Sequence, residues 1–196
     1  MKIILGSQSP RRRELLRGMD IEHSEVVIDT DESYPSTLRG GDIPIYISRA
    51  KARAYLAAHS LSADELLITS DTIVWSDGCV LGKPHTEDEA RQMLRSLSDK
   101  THQVFTAVSF VRLKDGLPCL ESFADRADVT FLPLSDADID YYVSHYHPLD
   151  KAGAYGIQEW IGYIGVSGIR GSFFTVMGFP THLVHRYIAD LNHAQS

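Results

Sequence analysis

With two cysteines, Cys79 and Cys119, in 196 residues, the chain cannot build a disulfide scaffold. It has no CxxC pair and no Cys/His spacing of a zinc site, so reduced structural thiols are expected. No apolar run approaches the roughly 20 residues that span a bilayer. The start MKIILGSQSPRRR puts a short apolar stretch before its arginines, the reverse of a secretory signal, which points to the cytoplasm. The net charge is -7 and no long basic run occurs, so neither nucleic acid nor a membrane is an expected partner. Neither GxSxG nor GxGxxG is present, and Gly165, Gly168 and Gly171 have the wrong spacing for a dinucleotide fingerprint. Gly78 to Lys83 is too short between its glycines for a P-loop, and Pro84 stands where that loop needs Ser or Thr. His182 and His185 lie opposite the apolar face of a helix, and His145 and His147 flank a helix end. Solvated rings are expected in both places.

What is present is an ordinary globular composition, 43% hydrophobic and 23% charged, enough to bury a core without staples. Residues 2–5 read as a strand. A small-residue loop follows, then a helix with Ser9 as N-cap, Pro10 in its first turn and Gly18 as its C-cap. A second strand is expected over 23–28, then an acidic turn over 29–35. The helix over 42–59 carries the stripe Ile43, Ile47, Ala50, Ala54 and Ala57 or Ala58, and Lys51 falls on that stripe. Leu66 to Trp75 is a near-continuous apolar run, as in a strand covered on both faces, with Asp71 inside it. Thr86 and Glu89 form a capping box. Strands at 102–113 and 119–131 flank a hairpin containing Asp115-Gly116. Ser135 caps a helix with Ile139, Tyr142, Val143 and Tyr146 inward. The glycine-rich stretch 150–180 is expected to hold short turns and strands rather than a helix. A last helix starts near Thr181. Strands alternating with helices early and pairing as a hairpin later predict an α/β fold with a mixed sheet, one domain over 1–196 with two lobes.

Several residues carry chemistry. Ser7-Gln8-Ser9-Pro10-Arg11-Arg12 is either a capped surface helix or a phosphate site. In the second case the helix N-terminus, the Ser7 hydroxyl and the arginine forks all face an anion. Lys51 either snorkels to water or meets an anion. Asp71, inside an apolar strand, needs a salt bridge to Lys51 or Lys83, or a functional partner such as a metal. Glu32 is either part of an exposed acidic turn or a second hard oxygen ligand, since magnesium is typically held by one or two carboxylates plus phosphates and waters. Gly82-Lys83-Pro84 puts a lysine in a tight turn. In Asp150-Lys-Ala-Gly-Ala-Tyr-Gly-Ile-Gln158 small residues let backbone approach a ligand, and the Gln158 amide can pair with a base edge. Together these are the needs of a metal–nucleotide pocket.

In order along essentially the whole chain, these blocks resemble the Maf family of nucleoside triphosphate pyrophosphatases. The matching blocks are Ser7 to Arg12, Glu32, Lys51-Ala52, Ser70-Asp-Thr-Ile-Val74, Gly82-Lys-Pro84, Asp150 to Gln158, Gly171-Ser172 and Gly178-Phe-Pro180. The block ending in Gln158 resembles the subgroup acting on dTTP and UTP. Ser70, Glu159-Trp160-Ile161 and Phe173-Phe174-Thr175 depart from the family's usual residues.

The resemblance implies a fold like that of the inosine triphosphate pyrophosphatases: an elongated mixed sheet flanked by helices, two lobes with a central cleft, and a homodimer. It implies hydrolysis between the α and β phosphates, giving a monophosphate and pyrophosphate, with modified pyrimidine nucleotides as further substrates. It implies Asp71 as general base, and Glu32 with Asp71 holding magnesium or manganese, with cobalt a further candidate. Arg12, Lys51 and Lys83 would neutralise charge on the leaving pyrophosphate, and Ser7 would position the phosphate chain. Arg11, Thr72 and Gln158 would select the base. Two alternatives stand beside it: a nucleotide-binding regulator of septation or cell division, and the same chemistry on a purine or on 7-methyl-GTP.

Overall fold

The structure, a computed structural model, describes residues 1–194. The elements run β1 (Lys2–Gly6), α1 (Pro10–Gly18), β2 (His23–Val26), α2 (Asp42–Ala58), β3 (Glu65–Ser76), β4 (Cys79–Leu81) and α3 (Glu87–Leu97). Then come β5 (Thr101–Lys114), β6 (Leu117–Phe131), α4 (Asp136–Tyr146), α5 (Trp160–Gly165), β7 (Val166–Arg170), α6 (Phe173–Met177) and α7 (Thr181–Ala194). Short 3-10 turns occupy Pro148–Asp150 and Ala152–Ala154.

The seven strands form one mixed sheet in the order β2-β1-β3-β5-β6-β7, with β4 paired to β3. β1 runs parallel to β2 and to β3, which requires crossover connections, and α1 supplies the first. β3 with β4 and β6 with β7 are antiparallel. Asp115 and Gly116 join β5 to β6 with φ of 53° and 77°, the two positive values of a type I′ hairpin turn.

The chain divides into two compact units. The first comprises Met1–Asp71, Thr106–Asp125 and the chain from Gly178 on. Its strands alternate between two buried faces, as a period of two requires. Ile3, Leu5, Leu66, Ile68, Val108 and Phe110 pack with Leu16 of α1 and Val184 of α7. Ile4, Leu67 and Val111 pack with Ala52 and Tyr55 of α2. The second unit comprises Thr72–Phe105 and Arg126–Met177. There Val74, Val104, Val129 and Phe131 bury themselves against Ala90, Leu94 and Leu97 of α3 and Ile139, Tyr142 and Val143 of α4.

Local signals place most boundaries. Ser135 accepts the Asp138 N–H while the Asp138 carboxylate takes the Ser135 N–H, a full capping box at the start of α4. At α3 the box is offset: Thr86 accepts from Glu89 N–H, but the Glu89 carboxylate takes the N–H of His85, one residue earlier than expected. Other expectations fail. α1 ends at Gly18, but its cap is Met19 and the left-handed residue is Asp20, with φ of 57°. Ala57 and Ala58 are exposed, and the buried stripe of α2 runs instead through Ile43, Ile47, Ala52 and Tyr55. Tyr146 is half exposed. The stretch 150–180 holds two short helices, α5 and α6, where none was expected. Tertiary burial of Ile161 and Thr175 stabilises turns that lack a helical apolar period.

Candidate active site

The first unit brings five of the sequence-derived residues together. β1 ends at Gly6, paired with Val26 at the end of β2 and with Thr69 midway along β3, so the loop from Ser7 leaves the sheet at the carboxyl end of the parallel strands β1 and β2. In open α/β sheets that edge is where ligands bind. Ser9 is the extended N-cap of α1, yet its side chain makes no cap bond. Instead Ser9 N–H donates to Ser7 Oγ at 3.2 Å. Arg12, one turn into α1, donates to the same oxygen at 3.1 Å, to Ser70 O at 3.0 Å and to Gly178 O at 2.8 Å. Its guanidinium therefore ties the Ser7 loop, β3 and the start of the last segment into one frame beside Asp71. The backbone acceptors at Ser70 and Gly178 carry no signal that a sequence reading could use.

Lys51 reaches Asp71 through register. The Thr69 hydroxyl donates to Ser48 O at 2.7 Å and sets the height of α2 on β3. Three residues on along the helix and two along the strand, Lys51 Nζ lies 2.8 Å from Asp71 Oδ1. The same ammonium lies 2.8 Å from Glu32 Oε1. The Lys51 side chain is only 12% exposed, so it does not snorkel to water; its charge is met by two carboxylates. Asp71 is 8% exposed. Burial lifts its carboxyl above the usual range, the Lys51 and Arg12 cations oppose that, and Glu32 adds to it. Burial lowers the pKa of Arg12, Asp71 offsets part of this, and neighbouring Arg11 adds to the lowering. Thr72 is the next residue on β3 after Asp71.

Lys83 and Gln158 belong to the second unit. The loops that carry them are tied by Gly153 N–H donating to Gly82 O at 3.0 Å. Gly153 has φ of 67°, and a Cβ there would sit 2.9 Å from a Val74 methyl, so glycine is required on both counts. Lys83 is exposed. Gln158 is partly buried, and its Oε1 has no hydrogen-bond partner among the described residues. Lys151 and Tyr142, to which sequence reasoning gave no functional role of their own, are both buried in this unit. A lysine in a run of small residues was the available signal for the first. Among the described residues no cluster of three or more His, Cys, Asp or Glu could hold a metal unaided. Two converging carboxylates do suit a divalent cation completed by substrate phosphates and waters, and Lys51 shows that one cationic centre fits between them.

An α/β sheet with paired carboxylates, a buried lysine and an arginine frame beside the end of β1 defines a site suited to an anion such as a phosphate chain. The chain belongs to the Maf-like protein family, whose model matches residues 2–191. It is 52% identical over 191 residues to a protein of Phocaeicola vulgatus named dTTP/UTP pyrophosphatase, covering 97% of this chain and 96% of that protein. Proteins of the same name from Bacteroides thetaiotaomicron and Flavobacterium psychrophilum are 53% and 45% identical. They cover 97% and 98% of this chain and 96% and 94% of theirs. A solved structure, that of the Staphylococcus aureus Ham1 protein, overlays with a TM-score of 0.46 at 12% identity, covering 67% of this chain and 72% of that one.

Proposed function

We propose that this chain hydrolyses nucleoside triphosphates, with dTTP, UTP and modified pyrimidine nucleotides as substrates, to the monophosphate and pyrophosphate. The observation that carries the reading is near full-length identity of about half to proteins of that name. The charge arrangement around Asp71 supports it. Water attacks the α-phosphorus, the bond from that phosphorus to the oxygen bridging the β-phosphate breaks, and pyrophosphate leaves. Asp71 takes the proton of the attacking water. Its raised pKa suits a base working near neutral pH better than an ordinary carboxylate would.

Glu32 and Asp71 would hold magnesium, manganese or cobalt, which supplies charge neutralisation on the phosphate oxygens. Lys51, already drawn to both carboxylates, meets the incoming phosphate charge, and Arg12 and Lys83 add to the positive field on the leaving group. Ser7 and the start of α1 position the phosphate chain. Arg11, Thr72 and Gln158 select the base. The unpartnered Gln158 Oε1 favours a base offering a ring N–H: uracil and thymine do so at N3, where cytosine has an acceptor.

The same reading makes 1–196 one functional domain, a homodimer, acting in the cytoplasm. Among the described residues no helix is long and apolar enough to cross a membrane. Light scattering of the purified protein tests the dimer.

The test of function is a product assay with UTP, dTTP, CTP, GTP and 7-methyl-GTP in magnesium or manganese, scoring pyrophosphate against orthophosphate. Pyrophosphate from UTP and dTTP is expected. Asp71→Asn should melt close to wild type and lose about 100-fold or more in turnover, in the range for a general base. Wild-type turnover in that variant would remove Asp71 from the mechanism.

A further inference from the structure

The loop that carries Gln158 is held by a buried polar network for which the hydrolysis itself has no use. Lys151 is 7% exposed, with Nζ 2.6 Å from Asp150 Oδ1 and 3.2 Å from Glu159 Oε1. The other Glu159 oxygen accepts from the hydroxyl of Tyr142, which is fully buried on α4. That hydroxyl in turn accepts the Gly156 N–H at 3.0 Å. Glu159 N–H donates to Gly156 O at 3.0 Å, closing a turn over Ile157 and Gln158, and Gly162 N–H donates to Glu159 O at 2.8 Å. The carboxylate folds back onto Gly156 so closely that a Cβ there would lie 2.7 Å from Glu159 Cδ. Both ends of the Gly156–Glu159 turn are therefore anchored to one phenol and one ammonium, and Gln158 is its third residue.

Buried ion pairs contribute little net stability, because desolvation offsets the attraction. What a fully bonded network does provide is a single geometry. The Gln158 amide matters here, because its Oε1 is buried and has no partner among the described residues. An acceptor left without a partner favours a ligand donor there, and a turn free to rock would offer that oxygen in many directions.

Resting on the reading of Gln158 as a base-contacting residue, we infer that Glu159 and Tyr142 are positioning residues for base selection: their hydrogen bonds to each other, to Lys151 and to Gly156 hold the Gln158 amide in the orientation that accepts from the ring N–H of a uracil or thymine. They act through the turn and do not touch substrate.

The experiment measures kcat and KM for pyrophosphate release from UTP and CTP in wild type, Tyr142→Phe, Glu159→Gln, Gln158→Ala and the Tyr142→Phe/Gln158→Ala double variant. Circular dichroism melts accompany each. Tyr142→Phe deletes one oxygen and keeps the ring, so it is the variant that stays folded if Glu159 substitutions do not. It should raise KM for UTP and lower the UTP-to-CTP ratio of kcat/KM by about tenfold, the size of one hydrogen bond lost. kcat at saturating UTP should stay within about threefold, since no group acting on phosphate has changed. Glu159→Gln, which can still accept from Tyr142, should keep most of the ratio. In the Gln158→Ala background Tyr142→Phe should change the ratio no further, because both changes act through one amide. An unchanged ratio in folded Tyr142→Phe overturns the inference. So does an effect of full size persisting without Gln158. A wild-type protein that releases no pyrophosphate from UTP or dTTP would instead overturn the functional reading, and Gln158→Ala with wild-type selectivity would overturn the role of the amide.

Discussion

Removing the Lys51 ammonium should move the acid limb of activity to higher pH. Asp71 accepts a proton only as a carboxylate, so kcat/KM is lost as pH falls through its pKa. Burial already raises that pKa above the ordinary 3.8, and Lys51 is the strongest group opposing the rise. The ammonium lies 2.8 Å from Asp71 Oδ1. At an effective dielectric of about 20, two unit charges at that separation attract by about 6 kcal/mol, a ceiling of about four pH units. The observed displacement must be smaller. Arg12 remains beside Asp71, Glu32 shares the ammonium, and water enters the space the side chain leaves. Lys51→Met should therefore shift the acid limb upward by roughly one to two pH units, the usual size for a carboxylate gaining or losing one close cation. Glu32, having lost the ammonium it shares with Asp71, pushes the same way. The assay is pyrophosphate release at low UTP across the acid limb, for wild type and Lys51→Met, with thermal melts at each pH. Turnover falls in the variant regardless, so the midpoint is the informative quantity. A midpoint that stays put or moves to lower pH would refute the assignment of Asp71 as the titrating base held down by Lys51.

Two predictions concern the second unit. His102 is fully buried, donates or accepts at Nε2 with the Tyr155 hydroxyl at 2.7 Å, and burial lowers its pKa to about 4. The unfolded chain takes up that proton near 6.5 and the folded one does not until about 4, so stability is lost as pH falls between them, by about 3 kcal/mol in all. Urea midpoints from pH 7 to 4.5 should fall accordingly and fall less in His102→Gln; an equal slope in both would remove His102 as the cause. Gly153→Ala adds a left-handed alanine and a methyl pressed on Val74, costing about 2–4 kcal/mol, or a melting temperature lower by on the order of 10 °C. A melt within about 2 °C of wild type would mean the 150–156 turn relaxes freely.

What the sequence determined by itself is whatever closes within a few residues. Ser135 with Asp138, Asp115-Gly116 and Pro10 specify their cap, turn and helix start through bonds or backbone limits three positions apart or fewer, and the structure keeps each. The alternation of Ile3, Ile4 and Leu5 likewise specifies two buried faces before any partner is known. Tertiary structure decided the rest. Whether Lys51 reached water or a carboxylate depended on how α2 seats on β3, a matter of the Thr69–Ser48 bond across 21 positions. Arg12 suits solvent or an anion on its local pattern, and acceptors 58 and 166 positions away made it the frame beside Asp71. The short helices α5 and α6 have no apolar period to announce them. They exist because neighbours bury them, and that information is spread over the whole chain rather than written in their own residues.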